Sequence, residues 1–241
     1  MKRYRKIAYI TDIHLDEQFV IDNHVDAKKN WEIALNDIAS RGFKEVVFGG
    51  DIGEKSAHKS FFESLQAYDL SIVLGNHDVF HDVVHHYSNG VNPDHKALYY
   101  AQEDAFYKYV FLDSSIGMIR QEQFEWFKTA LLTPKKIILF VHHPILSVNA
   151  EVDKRFPLDG RDKLKAELLK TDKEVILFCG HYHFEDVRTH ANILQYITPA
   201  SSYQVEKIPD EIKIGNHTFG YRIIEISEDE VNTELIMFES T

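Results

Sequence analysis

The chain has 241 residues, 44% of them hydrophobic and 12% aromatic, values that suit a folded protein with a sizeable core and exclude a disordered one. Its 27 Lys and Arg stand against 38 Asp and Glu, a formal net charge of −11. That balance argues against non-specific binding to a nucleic acid polymer or an anionic membrane, both polyanions, but admits a small phosphate ligand where a metal supplies positive charge.

In chain order, the start M-K-R-Y-R-K is basic, yet the apolar stretch after it ends at Asp12, too soon for a secretory signal. Short β-branched runs follow at 6–10 (K-I-A-Y-I), 45–48 (E-V-V-F), 70–74 (L-S-I-V-L), 109–112 (Y-V-F-L), 136–141 (K-I-I-L-F-V) and 174–179 (E-V-I-L-F-C). Each has the length of a strand buried on both faces. Between them, helical spacing links Val25, Trp31, Leu35 and Ile38, then Phe124, Phe127 and Leu131, then Leu164 and Leu168. This alternation predicts an α/β fold. The last stretches, I-L-Q-Y-I, S-Y-Q-V, G-Y-R-I-I-E-I and T-E-L-I-M-F, have no helix between them and predict a second sheet packed on the first. No repeat, low-complexity tract or linker divides the chain, so a single domain is expected over 1–241. No run reaches the length of a membrane span, and the single cysteine, Cys179, excludes an intrachain disulfide framework and points to a reducing compartment. The expectation is a soluble, cytoplasmic protein without a membrane partner.

Five of the six strand-like runs lead straight into residues of metal-ligand type: Thr11-Asp12-Ile13-His14, Gly49-Gly50-Asp51, Gly75-Asn76-His77-Asp78, His142-His143-Pro144 and Gly180-His181-Tyr182-His183. In α/β sheets ligands bind beyond the carboxyl ends of the strands, so these loops should converge. Each motif alone has a plainer reading: Asp12 as a helix cap, Asp51 or Asn76 as a turn residue, His181 and His183 as loop polar groups. Five in order after five strands call for a common cause. The donors are imidazole, carboxylate and one amide oxygen, a set that favours Zn, Mn or Fe. Seven residues give eight contacts if Asp51 bridges two metals, and a metal pair can clamp an in-line phosphoryl displacement.

These five blocks resemble those of the calcineurin-like metallophosphoesterase superfamily. The resemblance implies a four-layer α/β/β/α sandwich of two mixed sheets flanked by helices, with two divalent or trivalent metal ions at the loop ends. By carry-over, Asp12, His14, Asp51 and His183 would hold one ion, and Asp51, Asn76, His142 and His181 the other. A metal-bridging hydroxide would attack phosphorus in line, His77 would assist the leaving group, and Asp78 would orient His77. His143 and Cys179 are expected to pack or support, and Tyr182 either to line the pocket or to pack. Beyond the blocks, L-D-G-R-D-K-L (158–164), I-T-P-A-S-S-Y-Q-V (197–205) and F-L-D-S-S-I-G (111–117) are similar to the class III cyclic nucleotide phosphodiesterase branch. The His-rich stretch 79–96 departs from that pattern; it either shapes the substrate pocket or is a solvated loop.

The leading expectation is therefore hydrolysis of a small phosphodiester, a 3',5'-cyclic nucleotide among the candidates. A phosphomonoesterase, a nucleotide-sugar pyrophosphatase and a glycerophosphodiesterase share the chemistry. A binding module that retains metal but not catalysis should lack a ligand or His77, and this chain keeps them all. Expected partners are a small phosphoester and, as an open alternative, a second copy of the chain.

Overall fold

The computed structural model describes residues 5–240. The ends of the expected 1–241 domain, residues 1–4 and 241, lie outside the described residues. The chain begins with β1 (Arg5–Ile10), α1 (Gln18–Asp22), α2 (Ala27–Ser40), β2 (Glu45–Phe48), α3 (Lys55–Ser64) and β3 (Asp69–Ile72). Helical crossovers bring consecutive strands side by side in parallel, and β1 pairs with β2 and β2 with β3 in that sense. In α2, the Asp26 side chain accepts from the Lys29 N–H at the first turn, and Trp31, Ala34 and Ile38 form the buried stripe.

The middle of the chain carries α4 (Phe80–Val83), the ribbon of β4 (Val91–Asn92) and β5 (Ala97–Leu98), then β6 (Tyr100–Glu103), β7 (Tyr107–Leu112), α5 (Gln121–Ala130) and β8 (Lys136–Val141). It continues through α6 (Glu151–Arg155), α7 (Arg161–Leu168), β9 (Val175–Cys179), β10 (Asp186–His190) and β11 (Ile193–Ile197). A ribbon of β12 (Gln204–Val205) and β13 (Ile214–Gly215) precedes β14 (Thr218–Ile226) and β15 (Val231–Glu239).

Two mixed sheets result, one in the order β15-β14-β1-β2-β3 and the other β10-β11-β9-β8-β7-β6. Their facing sides share a core of Tyr9, Val47, Phe111, Phe140, Phe178 and Ile224. There Phe140 stacks on Phe111 at 5.0 Å and on Phe178 at 5.6 Å between ring centres. Outside the first sheet, Trp31, Ile38 and Phe61 of α2 and α3 close a second core. Outside the other sheet, Phe127 of α5 and Leu164 and Leu168 of α7 close a third. Helix, sheet, sheet, helix is the four-layer α/β/β/α sandwich that the family resemblance implied.

The C-terminal strands depart from the expectation of a sheet of their own. β10 and β11 extend the sheet built by β6 to β9, whereas β14 returns to the first sheet and pairs antiparallel with β1, Ile7 opposite Ile224. The reason is edge coverage: β14 is buried along nearly all its length and covers the free edge of β1, and β15 becomes an edge strand carrying Glu234 and Glu239. The stretch 79–96 is not a free loop either. Val83 and Tyr87 are buried, and His86 stacks on Phe62 of α3 at 5.4 Å.

Candidate metal centre

The strand-end loops meet at one end of the two sheets. Asp12 and His14 follow β1, Asp51 follows β2, Asn76 and His77 follow β3, His142 follows β8, and His181 and His183 follow β9. The expected donors fall into two of three clusters of ligand-type side chains among the described residues: Asp12, His14 and His183, and Asp51, His142 and His181; the third cluster is His14, Glu17 and His77. In the first, His183 Nε2 is 3.2 Å from Asp12 Oδ1 and 3.1 Å from His14 Nε2. In the second, His142 Nε2 is 3.2 Å from Asp51 Oδ2 and 3.2 Å from Asn76 Oδ1. Asp51 Oδ2 also lies 3.6 Å from His14 Nε2, so this carboxylate stands between the two groups.

The outward-facing ring nitrogens test whether these residues suit metal ions. His142 Nδ1 donates to the Gly49 carbonyl at 2.8 Å, His183 Nδ1 to the Tyr203 carbonyl at 3.0 Å and His181 Nε2 to the Phe156 carbonyl at 3.0 Å. His14 Nδ1 meets the Glu17 carboxylate at 3.0 Å. Carbonyls can only accept, so the proton of each neutral ring sits on that side and its other nitrogen turns a lone pair inward. Two such lone pairs, on His14 and His183, face each other, an arrangement that requires positive charge between or beside them. Outer partners of this kind fix the tautomer and orientation of metal-ligating histidines. The donor set therefore fits metal. With protons as the only positive charge, burial lowers His142, but Asp51 and Asp12 outweigh it and push it up to about 10. Burial and neighbouring His142 drive His181 down to about 3.

The backbone is set to make this convergence. Asp12, His14, Asp51, His181 and His183 all have positive φ, between 47° and 69°. Left-handed non-glycine residues are uncommon and cluster at functional sites. Gly75 and Gly180 allow the loops to approach: a Cβ at Gly75 would overlap Asp51 Oδ1, and one at Gly180 would overlap Asp12 Oδ2.

His77 is the accessible member, with its side chain 45% exposed. Its N–H donates to Asp51 Oδ1 at 2.8 Å, and its Nδ1 is 3.0 Å from Glu17 Oε1. The hydrogen bond to Glu17 is the main cause that raises His77 to about 9. Burial works to raise Glu17, but its bonds to His14 and His77 prevail and hold it at about 2. This corrects the expected role of Asp78. Asp78 is buried and accepts main-chain N–H bonds from Gly75 and Asp51, both at 2.8 Å, and from Ile52 at 2.9 Å. It ties two ligand loops together, and the carboxylate facing His77 belongs to Glu17. The i, i+3 spacing from His14 to Glu17 was the available sequence clue.

Three further residues pack rather than face the cleft. His143 is buried with Nδ1 2.8 Å from Ser114 Oγ. Cys179 is buried and donates to the Tyr196 carbonyl. Tyr182 is buried with its hydroxyl donating to Asp153 Oδ1 at 2.5 Å.

The sequence profile of the calcineurin-like phosphoesterase family matches residues 5–204. A probable cyclic nucleotide phosphodiesterase of Fibrobacter succinogenes is 25% identical over 100% of this chain and 96% of its own length. A probable glycerophosphodiester phosphodiesterase of Arcobacter nitrofigilis is 26% identical over 83% of this chain and 79% of its own. Among solved structures, a dimetal phosphatase from Danio rerio superposes with a TM-score of 0.64 at 12% identity, covering 95% of this chain and 98% of that one; that likeness is one of fold.

Proposed function

From the premise that the chain belongs to the calcineurin-like phosphoesterase family, we propose that this metal-dependent phosphoesterase is a dinuclear phosphodiesterase acting on a small diester. The observation that carries the reading is the set of four histidines, each tied outward through one nitrogen and presenting the other to Asp12, Asp51 or Asn76. Asp12, His14, Asp51 and His183 would hold one ion and Asp51, Asn76, His142 and His181 the other, with Mn, Fe or Zn as the fitting metals. When bound, such ions would lower the pKa of a coordinated water toward neutrality and would supply positive charge for phosphoryl chemistry.

The chain's own residues do the rest. His77, exposed toward the cleft and kept protonated by Glu17, gives its proton to the departing ester oxygen as the P–O bond breaks. Glu17 positions His77 through Nδ1 and His14 through its own Nδ1. Asp78 holds the Gly75 and Asp51 loops in register. A small nucleotide diester, 3',5'-cyclic or linear, is the favoured substrate class; the Fibrobacter relative, named for cyclic nucleotides, supports the cyclic form, and the Arcobacter relative supports a glycerophosphodiester as the second reading. No described helix is long and apolar enough to cross a membrane. We place the enzyme in the reducing cytoplasm on its lone buried Cys179, and read it as one catalytic domain because both sheets contribute ligands.

The test is turnover of bis(4-nitrophenyl) phosphate by Mn²⁺-loaded protein, beside 3',5'-cyclic AMP and 4-nitrophenyl phosphate. Diester cleavage that disappears with a chelator and returns with metal is expected. Absence of turnover with every divalent metal, in protein that has bound it, would refute the reading.

A further inference from the structure

The cavity over the ligand cluster, 230 Å³ in volume, is lined by two unlike sets of residues. One carries His14, Asp51, Asn76, His77, His181 and His183; the other is apolar, formed by Phe19, Val152, Phe156, Tyr203, Ile212 and Ile214. Phe19 and Phe156 are 49% and 53% exposed, large ring surfaces left in water at the mouth of a charged site. Each is joined to a different ligand group. Tyr203 lies 4.4 Å from the His183 ring and 5.8 Å from the His14 ring, and Phe19 lies 5.8 Å from Tyr203. Phe156 is anchored through its carbonyl to His181. A neighbouring cavity that shares Phe19 and His77 differs in carrying charged groups, Glu54, Lys55 and Asp82, beside Val79.

We infer that this wall is a specificity subsite for an aromatic, ring-bearing arm of the phosphoester. The inference rests on the phosphoesterase reading of the cluster, since a phosphoryl group held there places one organic substituent against Phe19 and Phe156. Aromatic rings bury large apolar area and stack favourably on one another, and about half of each of these rings is open to receive one. A small hydroxylated arm would gain nothing from them. The preference is therefore for diesters whose retained arm carries a planar ring, with the leaving alcohol directed past His77 toward the polar cavity.

The test uses binding, so that it does not depend on turnover. Phenylphosphonate, methylphosphonate and 2,3-dihydroxypropylphosphonate are titrated calorimetrically into metal-loaded wild type and the Phe19→Ser and Phe156→Ser variants, with metal content measured in each. Phe156→Ser keeps the main-chain carbonyl that holds His181, and Phe19 is on the surface, so both variants should fold and load metal. Phenylphosphonate is expected to bind about tenfold or more tighter than the other two in wild type, an advantage that each variant cuts to roughly threefold or less. Equal binding of the three phosphonates, or an aromatic preference that survives both substitutions, would overturn the subsite while leaving the phosphodiesterase reading in place. The expected preference in a protein that turns over no diester would uphold the subsite and overturn that reading. Failure of all three to bind would overturn the subsite, the phosphodiesterase reading being decided by turnover.

Discussion

Replacing Glu17 with Gln is the most informative single change outside the ligand set. The Glu17 carboxylate makes two hydrogen bonds of 3.0 Å, one to His14 Nδ1 and one to His77 Nδ1. Gln keeps the size and one acceptor oxygen but removes the charge. A charged acceptor contributes about 1.5–3 kcal/mol against about 0.5–1.5 for a neutral one, so each bond should weaken by about 1–1.5 kcal/mol, roughly 5–10-fold in a rate or an equilibrium. Through His77 the loss should appear in kcat, and through His14 in metal affinity, short of the about 10–100-fold that removing an outer partner altogether costs. The assay is kcat at saturating metal, measured with a methyl and a 4-nitrophenyl leaving group, together with a metal titration. Loss of proton donation slows the methyl ester more, because nitrophenolate departs without a proton. A Glu17→Gln protein with wild-type kcat on the methyl ester at saturating metal would refute the role assigned to Glu17 behind His77, even if metal binding were weakened.

Other outcomes follow from the same geometry. His77→Ala should keep its metal and lose roughly 10²–10⁴-fold in kcat; unchanged turnover of a poor-leaving-group ester would contradict its role. Asp78→Ala leaves the main-chain N–H groups of Gly75, Asp51 and Ile52 without their buried acceptor. A loss of about 3–5 kcal/mol is expected, seen as a fall of roughly 6–20 °C in the Tm of metal-free protein, and a wild-type Tm would refute the tie. Far from the site, burial tends to raise Asp104, but bonds from Tyr109 Oη at 2.6 Å and the Tyr107 and Phe106 N–H groups prevail and lower it. A carboxylate with a depressed folded pKa stabilises above its unfolded value and loses that contribution as pH falls through the folded one. Asp104→Asn should therefore cost about 1 kcal/mol or less at pH 7, the carboxylate being partly solvent-screened, and progressively less at acid pH. Urea unfolding at neutral and acid pH checks this, and a gap that does not change with pH would count against it.

How far the sequence could be read depended on where the information lay. Residues 137–141 and 175–179 are apolar and buried throughout, and the ligands sit just after them, so the convergence of His142, His181 and His183 was legible. The outer partners were not, because the carbonyls of Gly49, Phe156 and Tyr203 belong to the backbone and leave no mark in residue type. Glu17 was missed because an acid in L-D-E-Q-F reads as solvated surface, and only the fold brings His77 to it. Adjacency misled for Asp78: the turn that exposes His77 directs the next side chain inward to the loop N–H groups. The division of the C-terminal strands between two sheets was hidden too, since composition marks a strand but not which edge it will cover.

The central claim is that Asp51 stands between two metal sites made from this chain's own residues. The most direct measurement is the number of metal equivalents per chain retained after gel filtration, in wild type and in Asp51→Ala. Two equivalents in wild type and about one or fewer in the variant are predicted. A single equivalent in wild type, or two in Asp51→Ala, would contradict the claim.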